Sequence, residues 1–151
     1  MKIIIINGPN LNRIRSRNLD YYGKFSLEQI SDILHHKFNE IEFDIIQSDI
    51  EGELVGFILD APKNYSGLII NPGGFSHSSI SIRDALEICN IPKIEVHLSN
   101  LSDREHFRNV SLTASKCNGY ISGFKYLSYV AAVNIVLDLI NLKKQIPIEN
   151  T

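Results

Sequence analysis

The stretch from Leu68 to Asp84, reading Leu-Ile-Ile-Asn-Pro-Gly-Gly-Phe-Ser-His-Ser-Ser-Ile-Ser-Ile-Arg-Asp, restricts the folds open to this chain more than any other segment. Leu68, Ile69 and Ile70 form a short apolar run stopped by Asn71, Pro72, Gly73 and Gly74, which reads as a buried strand ending in a tight turn. Beyond the turn, Ser78 or Ser79 can cap a helix in which Ile82, Leu86 and Cys89 recur at helical spacing. Strand, glycine turn and helix make half of a βαβ unit. In open parallel sheets, ligands bind outside the carboxyl ends of the strands. Here that edge carries Asn71, Ser76, His77 and backbone N–H groups that glycine leaves accessible, so the segment is expected to form the floor of a small-molecule site.

The rest of the sequence repeats the unit. Four consecutive isoleucines, Ile3 to Ile6, run into Asn7 and a Gly8-Pro9-Asn10 turn. An apolar run without alternation predicts a strand covered on both faces, the habit of parallel sheets. Residues 10–24 are polar and basic without sustained periodicity, and they are long for a strand-to-helix connection, where roughly two to six residues are usual. They read as a lid loop. Ser26 and Gln29 make a capping box for a helix to about Asn39, with Leu27, Ile30, Leu34 and Phe38 on one face. Phe43 to Ile46 reads as the second strand, Gly52 to Pro62 as a helix ended by its proline, and Ile94 to His97 as the fourth strand. A polar stretch from Leu101 to Lys116 precedes a short strand, Tyr120 to Ser122.

The last helix, about residues 126–143, is apolar around most of its circumference and needs cover on more than one side, some of it expected at a subunit interface. Only the segment from Gln145 looks loose. Strands alternating with helices predict an α/β, flavodoxin-like, doubly wound five-stranded parallel sheet of order 2-1-3-4-5 in a single domain, residues 1–151.

Composition removes several function classes. With 151 residues, 44% apolar and 21% charged, the chain is long enough for one real core and is not disordered. A net charge of −2 gives nucleic acid no general attraction. The apolar run after Met1 and Lys2 is too short for a signal peptide or membrane span, so no membrane association and a cytoplasmic location are expected. Cys89 and Cys117 lack metal-ligand spacing and are expected as free thiols. No pair of histidines on one element has zinc-site spacing, and no metal is expected.

Two sets of groups can do chemistry. Glu95 and His97, two apart on a strand, project from one face, where a carboxylate can hold an imidazole in one tautomer and favour its protonated form. The lid carries Arg13, Arg15 and Arg17 close to Tyr21 and Tyr22. A tyrosine of ordinary acidity is only about one part in a thousand ionised at neutral pH, and nearby guanidinium groups stabilise the phenolate. His35 and His36 fall on an exposed helix face with no partner expected. Asn10, Asn71, His77, His97 and Ser99 should converge on one sheet edge.

Three motifs carry a resemblance. Asn7-Gly8-Pro9-Asn10-Leu11-Asn12, Asn71-Pro72-Gly73-Gly74-Phe75-Ser76-His77, and Ile94-Glu95-Val96-His97-Leu98-Ser99-Asn100 running through Arg104 and Arg108 resemble, in order and separation, those of the type II 3-dehydroquinate dehydratases. The resemblance implies reversible dehydration of 3-dehydroquinate to 3-dehydroshikimate in the shikimate pathway, without metal, Schiff base or other cofactor. It implies that Tyr22 takes the C2 proton as tyrosinate and that Arg17 favours that tyrosinate and closes over the substrate. Asn10 would hold a water on the enolate, and His97, held by Glu95, would protonate the departing C1 hydroxyl. Asn71, His77 and Arg108 would bind substrate hydroxyls, and the backbone N–H groups of Leu98 and Ser99 its carboxylate. It further implies a dodecamer built from trimers in which Asp84 reaches a neighbouring site.

The lid departs from the family pattern at Arg15 and at Asn18-Leu19, where a proline is usual, so slower or weaker closure is expected. Lys125 stands where small residues are usual. A flavodoxin-like FMN or small-ligand binding protein without lyase activity would share the fold, but its phosphate loop would be rich in threonine, serine and glycine where this chain has Gly8-Pro9-Asn10.

Overall fold

In the computed structural model, which describes residues 1–145, the strands are β1 (Lys2–Asn7), β2 (Glu42–Gln47), β3 (Gly67–Asn71), β4 (Lys93–His97) and β5 (Gly119–Ser122). They form one parallel sheet in the order β2-β1-β3-β4-β5, as the alternation of elements predicts. The isoleucine run explains the centre. Ile3 and Ile5 face a cluster that includes Ile30, Leu34, Tyr129 and Val133, while Ile4 and Ile6 face Leu54, Ile58, Ile82 and Leu86. Each of the four is at most 4% exposed, and burial of such a side chain contributes about 2 kcal/mol.

The helices are α1 (Leu19–Tyr22), α2 (Leu27–Lys37), α3 (Glu51–Asn64), α4 (Ile80–Ile88) and α5 (Leu127–Gln145). Both halves of the Ser26–Gln29 capping box are present on α2, which ends at Lys37, short of Asn39. Ser79, not Ser78, caps α4 by accepting from the Ile82 N–H. Pro62 does not end α3. It removes one helical N–H, but the Tyr65 N–H still closes on the Ala61 carbonyl at 3.0 Å, and the helix continues to Asn64. The expectation of a loose tail beyond Gln145 falls outside the described residues. The exposed histidines also differ in part from expectation, since His35 Nδ1 donates to the Ser31 carbonyl at 2.9 Å.

α5 buries Ser128, Tyr129, Ala132, Val133, Val136 and Ile140, leaving Leu127, Ile135 and Leu142 exposed. Its Tyr129 joins three elements. The hydroxyl donates to Asn7 Oδ1 at 2.6 Å and accepts from Asn71 Nδ2 at 3.0 Å, and Asn7 Nδ2 donates to the Ile46 carbonyl at 3.2 Å. Burial pushes the Tyr129 phenol well above its ordinary range. The relay thus stays neutral and fixes the ends of β1 and β3 against α5. No helix among the described residues is long and apolar enough to cross a membrane.

Gly8 brings the first turn against the third. Its N–H donates to the Asn71 carbonyl at 2.7 Å, and a Cβ there would lie 2.4 Å from the Pro72 carbonyl oxygen, a backbone atom that cannot swing aside. Gly56, inside α3, faces open space. Gly8→Ala should therefore destabilise the protein by about 2 kcal/mol, whereas Gly56→Ala should stabilise it by roughly 0.5–1 kcal/mol. Urea unfolding at one protein concentration measures both, and a Gly8→Ala midpoint equal to that of the wild type would refute the close approach.

Candidate active site

The carboxyl end of β4 holds a buried acid–imidazole pair. Glu95 and His97 leave the strand on the same face, and His97 Nε2 donates to Glu95 Oε1 at 2.7 Å, with side chains 0% and 5% exposed respectively. An ionised carboxylate only accepts, so Nε2 carries a proton and Nδ1 is the ring atom left for the cavity that His97 lines. Glu95 takes two further bonds from the polar stretch after β4, from Ser111 Oγ at 3.0 Å and Thr113 Oγ1 at 2.6 Å.

The carboxyl end of β3 contributes Asn71 and, through a 3₁₀ turn over Gly73–His77, His77. Asn71 Oδ1 accepts from the Gly73 N–H at 3.2 Å, so the amide is held at both ends before any ligand arrives. His77 Nδ1 donates to the Val110 carbonyl at 2.8 Å, and its ring stacks on His97 with centroids 6.4 Å apart. That bond fixes Nε2 as an acceptor in the neutral ring. Among the described residues it is buried without a partner, so a hydroxyl of a ligand is its natural complement.

The lid is not a bare loop. Leu11–Ser16 is a 3₁₀ turn that buries Leu11 and Ile14, and Asn18 caps α1 by accepting from the Asp20 N–H at 2.8 Å. Two apolar residues three apart suffice for a 3₁₀ turn but are too few to register as periodicity. Asn18, one of the departures in the lid, thus supplies a cap, while Leu19 is 54% exposed. α1 carries Tyr22 inward to 9% exposure. Lys125, in a left-handed conformation at φ 53°, packs its side chain over Gly23 and donates its N–H to the Leu98 carbonyl at 2.9 Å.

Two guanidinium groups hold the Tyr22 phenol. Arg17 lies over the ring face at 3.9 Å, and Arg104 Nη1 donates to the hydroxyl at 3.0 Å and to Ser99 Oγ at 3.1 Å. Burial opposes the Arg104 charge, but the hydrogen bond to Tyr22 and the nearby Glu105 carboxylate hold the guanidinium above its ordinary range. Arg108 Nε pairs with Glu105 at 2.7 Å. The Glu105 carboxyl is lowered to about 2 by its own backbone N–H and by Arg108.

One cavity is lined by Arg17, Tyr22, Asn71, His77, His97 and Leu98, with Ser99, Arg104 and Arg108 closing the rest. Of the five residues expected to converge on this edge, Asn71, His77, His97 and Ser99 line the cavity and Asn10 does not. Asn10 is exposed at the start of the lid, in a left-handed conformation with its N–H on Asp49 Oδ1 at 2.9 Å, and does not line the cavity. Asp84 lies on the outer side of α4, paired with Arg83 at 2.8 Å. Sequence reading left Arg104 without a role although it lay inside a recognised motif, and it gave none to Ser111 or Thr113. Hydroxyls and charges in an aperiodic stretch carry no pattern that says which way they point. The enclosed volume is about 30 Å³, against roughly 300 Å³ or more for an ordinary ligand pocket. The cavity as it stands is smaller than a ring-sized ligand needs.

Known proteins share this arrangement of chain. A family model described as dehydroquinase class II matches residues 1–137. A 3-dehydroquinate dehydratase of Fusobacterium nucleatum subsp. nucleatum is 44% identical over 146 residues, covering 93% of this chain and 99% of that protein. The crystal structure of type II dehydroquinase from Butyrivibrio crossotus matches with a TM-score of 0.87 at 40% identity, covering 91% of this chain and 97% of that one. The type II dehydroquinase from Propionibacterium acnes gives 0.84 at 33% identity, with the same shares covered. With motifs, fold and near full-length similarity in agreement, this chain belongs to the class II dehydroquinase family.

Proposed function

We propose that this protein is a hydro-lyase that converts 3-dehydroquinate to 3-dehydroshikimate in the shikimate pathway. The observation that carries the reading is a single cavity with two held groups: a phenol gripped by Arg104 and Arg17, and an imidazole fixed by a buried carboxylate. A fixed cation donating to a phenol oxygen stabilises a phenolate over a phenol, which suits Tyr22 to act as the base. It takes the proton from C2, leaving an enolate. His97, protonated and held by Glu95, then gives a proton to the C1 hydroxyl as the C1–O bond breaks, and water leaves with formation of the C1–C2 double bond.

Binding follows from what each group has left to offer. His77 Nε2 accepts from a substrate hydroxyl, the second N–H of the Asn71 amide donates to another, and Arg108 completes the set. Leu98 and Ser99 present backbone N–H groups at the end of β4 to the ring carboxylate. Asn10 reaches a water on the enolate only if the lid rearranges around the substrate. No cofactor enters these steps. Asp84 sits between Ile80 and Ile88 on one face of α4, and those isoleucines are 64% and 71% exposed. An apolar stripe around a carboxylate suits a subunit contact, and the family's dodecamer of trimers would carry Asp84 to a neighbouring cavity. We place this assembly in the cytoplasm.

An absorbance assay for the conjugated enone formed from 3-dehydroquinate, run with purified protein and EDTA, tests the reaction; no absorbance gain means the reading is wrong. Tyr22→Phe keeps the ring and removes the base, so turnover should fall by about a hundredfold or more while substrate affinity by calorimetry stays within a few-fold. Unchanged turnover would take the role away from Tyr22. Arg104→Gln removes a charge-assisted bond worth roughly 1.5–3 kcal/mol and should lower kcat by about ten- to a hundredfold. Wild-type kcat in that variant would mean that the Arg104 bond to the phenol does not assist catalysis.

A further inference from the structure

Residues 110–113, between the second and third 3₁₀ turns of the β4–β5 connection (His106–Asn109 and Ala114–Lys116), grip the site residues alternately. The Val110 carbonyl accepts from His77, Ser111 Oγ donates to Glu95 Oε1, the Leu112 N–H donates to the Ser76 carbonyl at 2.8 Å, and Thr113 Oγ1 donates to Glu95 Oε2. Thr113 and Glu95 are both 0% exposed. Each hydroxyl has one hydrogen and spends it on the carboxylate, so neither can donate to the other across the 3.4 Å between them. With Glu95 ionised, every hydrogen in this arrangement has an acceptor and both hydroxyls serve as donors. A protonated Glu95 would turn one of those hydroxyls from donor to acceptor.

We propose that Thr113 and Ser111 are positioning residues that hold Glu95 as the anion and thereby set how readily the Glu95–His97 pair releases the proton used on the leaving hydroxyl. The proposal rests on the dehydration reading above. A buried anion that loses a donor holds a proton more tightly. Without the Thr113 hydroxyl, the Nε2 proton shifts toward Glu95, His97 becomes a weaker acid at Nδ1, and the pair as a whole keeps its proton to higher pH. Other groups bear on the pair but are untouched by the substitution. His77 stacks on His97, and Tyr22, Arg17, Arg104 and Arg108 face His97 across the cavity. Lys93 lies two residues before Glu95 with its ammonium on the Cys89 carbonyl, and Tyr120 is opposite Glu95 on β5. Cys117 packs behind, its thiol pushed up by burial and by the charge of Glu95.

The test compares the pH dependence of kcat and KM in the wild type, Thr113→Val, Thr113→Ser and Ser111→Ala, together with an NMR titration of the His97 ring in substrate-free protein. Thr113→Val should lower kcat by about tenfold or more with KM within a few-fold. It should move the alkaline limb of kcat and the His97 titration to higher pH, and Thr113→Ser should restore both. Ser111→Ala, which leaves the Thr113 bond in place, should move them the same way by less, and it stands in if Thr113→Val does not fold. Wild-type values in Thr113→Val and Ser111→Ala, a loss in Thr113→Ser equal to that in Thr113→Val, or a rise in KM alone would overturn the proposal. A wild type inactive on 3-dehydroquinate would instead overturn the reaction, and the His97 titration would still decide whether the hydroxyls govern the pair.

Discussion

A parallel sheet covered by helices on both faces leaves few places for a polar side chain other than its ends, and the rest of this structure follows from that constraint. Past the lysines that open β1 and β4, the interiors of β1, β3 and β4 are largely apolar and turn polar at Asn7, Asn71 and His97, so the three central strands deliver hydrogen-bonding groups to one edge. The exception is Glu95, a carboxylate inside β4. A charge in such a place is tolerated only when its lone pairs are filled, and it draws in His97 from its own strand and Ser111 and Thr113 from the following connection. The connection between β4 and β5 is thereby part of the site rather than a link between strands.

The opposite wall is built on a different principle. Tyr22 is not on the sheet but on a lid made of two short helical pieces, each held by a few contacts: Leu11 and Ile14 in the core, Asn18 as a cap, and the Lys125 side chain over Gly23. Segments with so few buried residues open at modest free energy, and the cavity they border is small. Arg104 crosses from the sheet side to the phenol and to Ser99. One guanidinium therefore registers the α1 wall against the sheet wall. Electrostatic groups placed before the substrate arrives need little rearrangement during the reaction, which is what makes such sites effective.

Much of this was legible in the residues. Uninterrupted isoleucines require cover on both sides, glycine turns after strands mark the ligand edge, and the two-residue spacing of Glu95 and His97 places them on one face. Three spaced motifs were enough for the family. The illegible parts share a cause. The lid turns are too short for a helical period to emerge, and the proline at position 62 ends a helix only when no later N–H can close a turn. Arg104, Ser111 and Thr113 lie in a stretch whose backbone follows no repeat, so spacing does not give side-chain direction.

The sequence by itself determined the alternation of elements and the edge at which chemistry can occur, because these depend on periodicity and on local turn chemistry, and the resemblance of its three spaced motifs pointed to the family. Only the tertiary structure decided which guanidinium meets the phenol oxygen, which hydroxyls satisfy Glu95, and that Asn10 stands outside the cavity. Those outcomes depend on contacts between residues far apart in the chain. Their directions are set by how helices and connections pack across the sheet, and no local pattern encodes them.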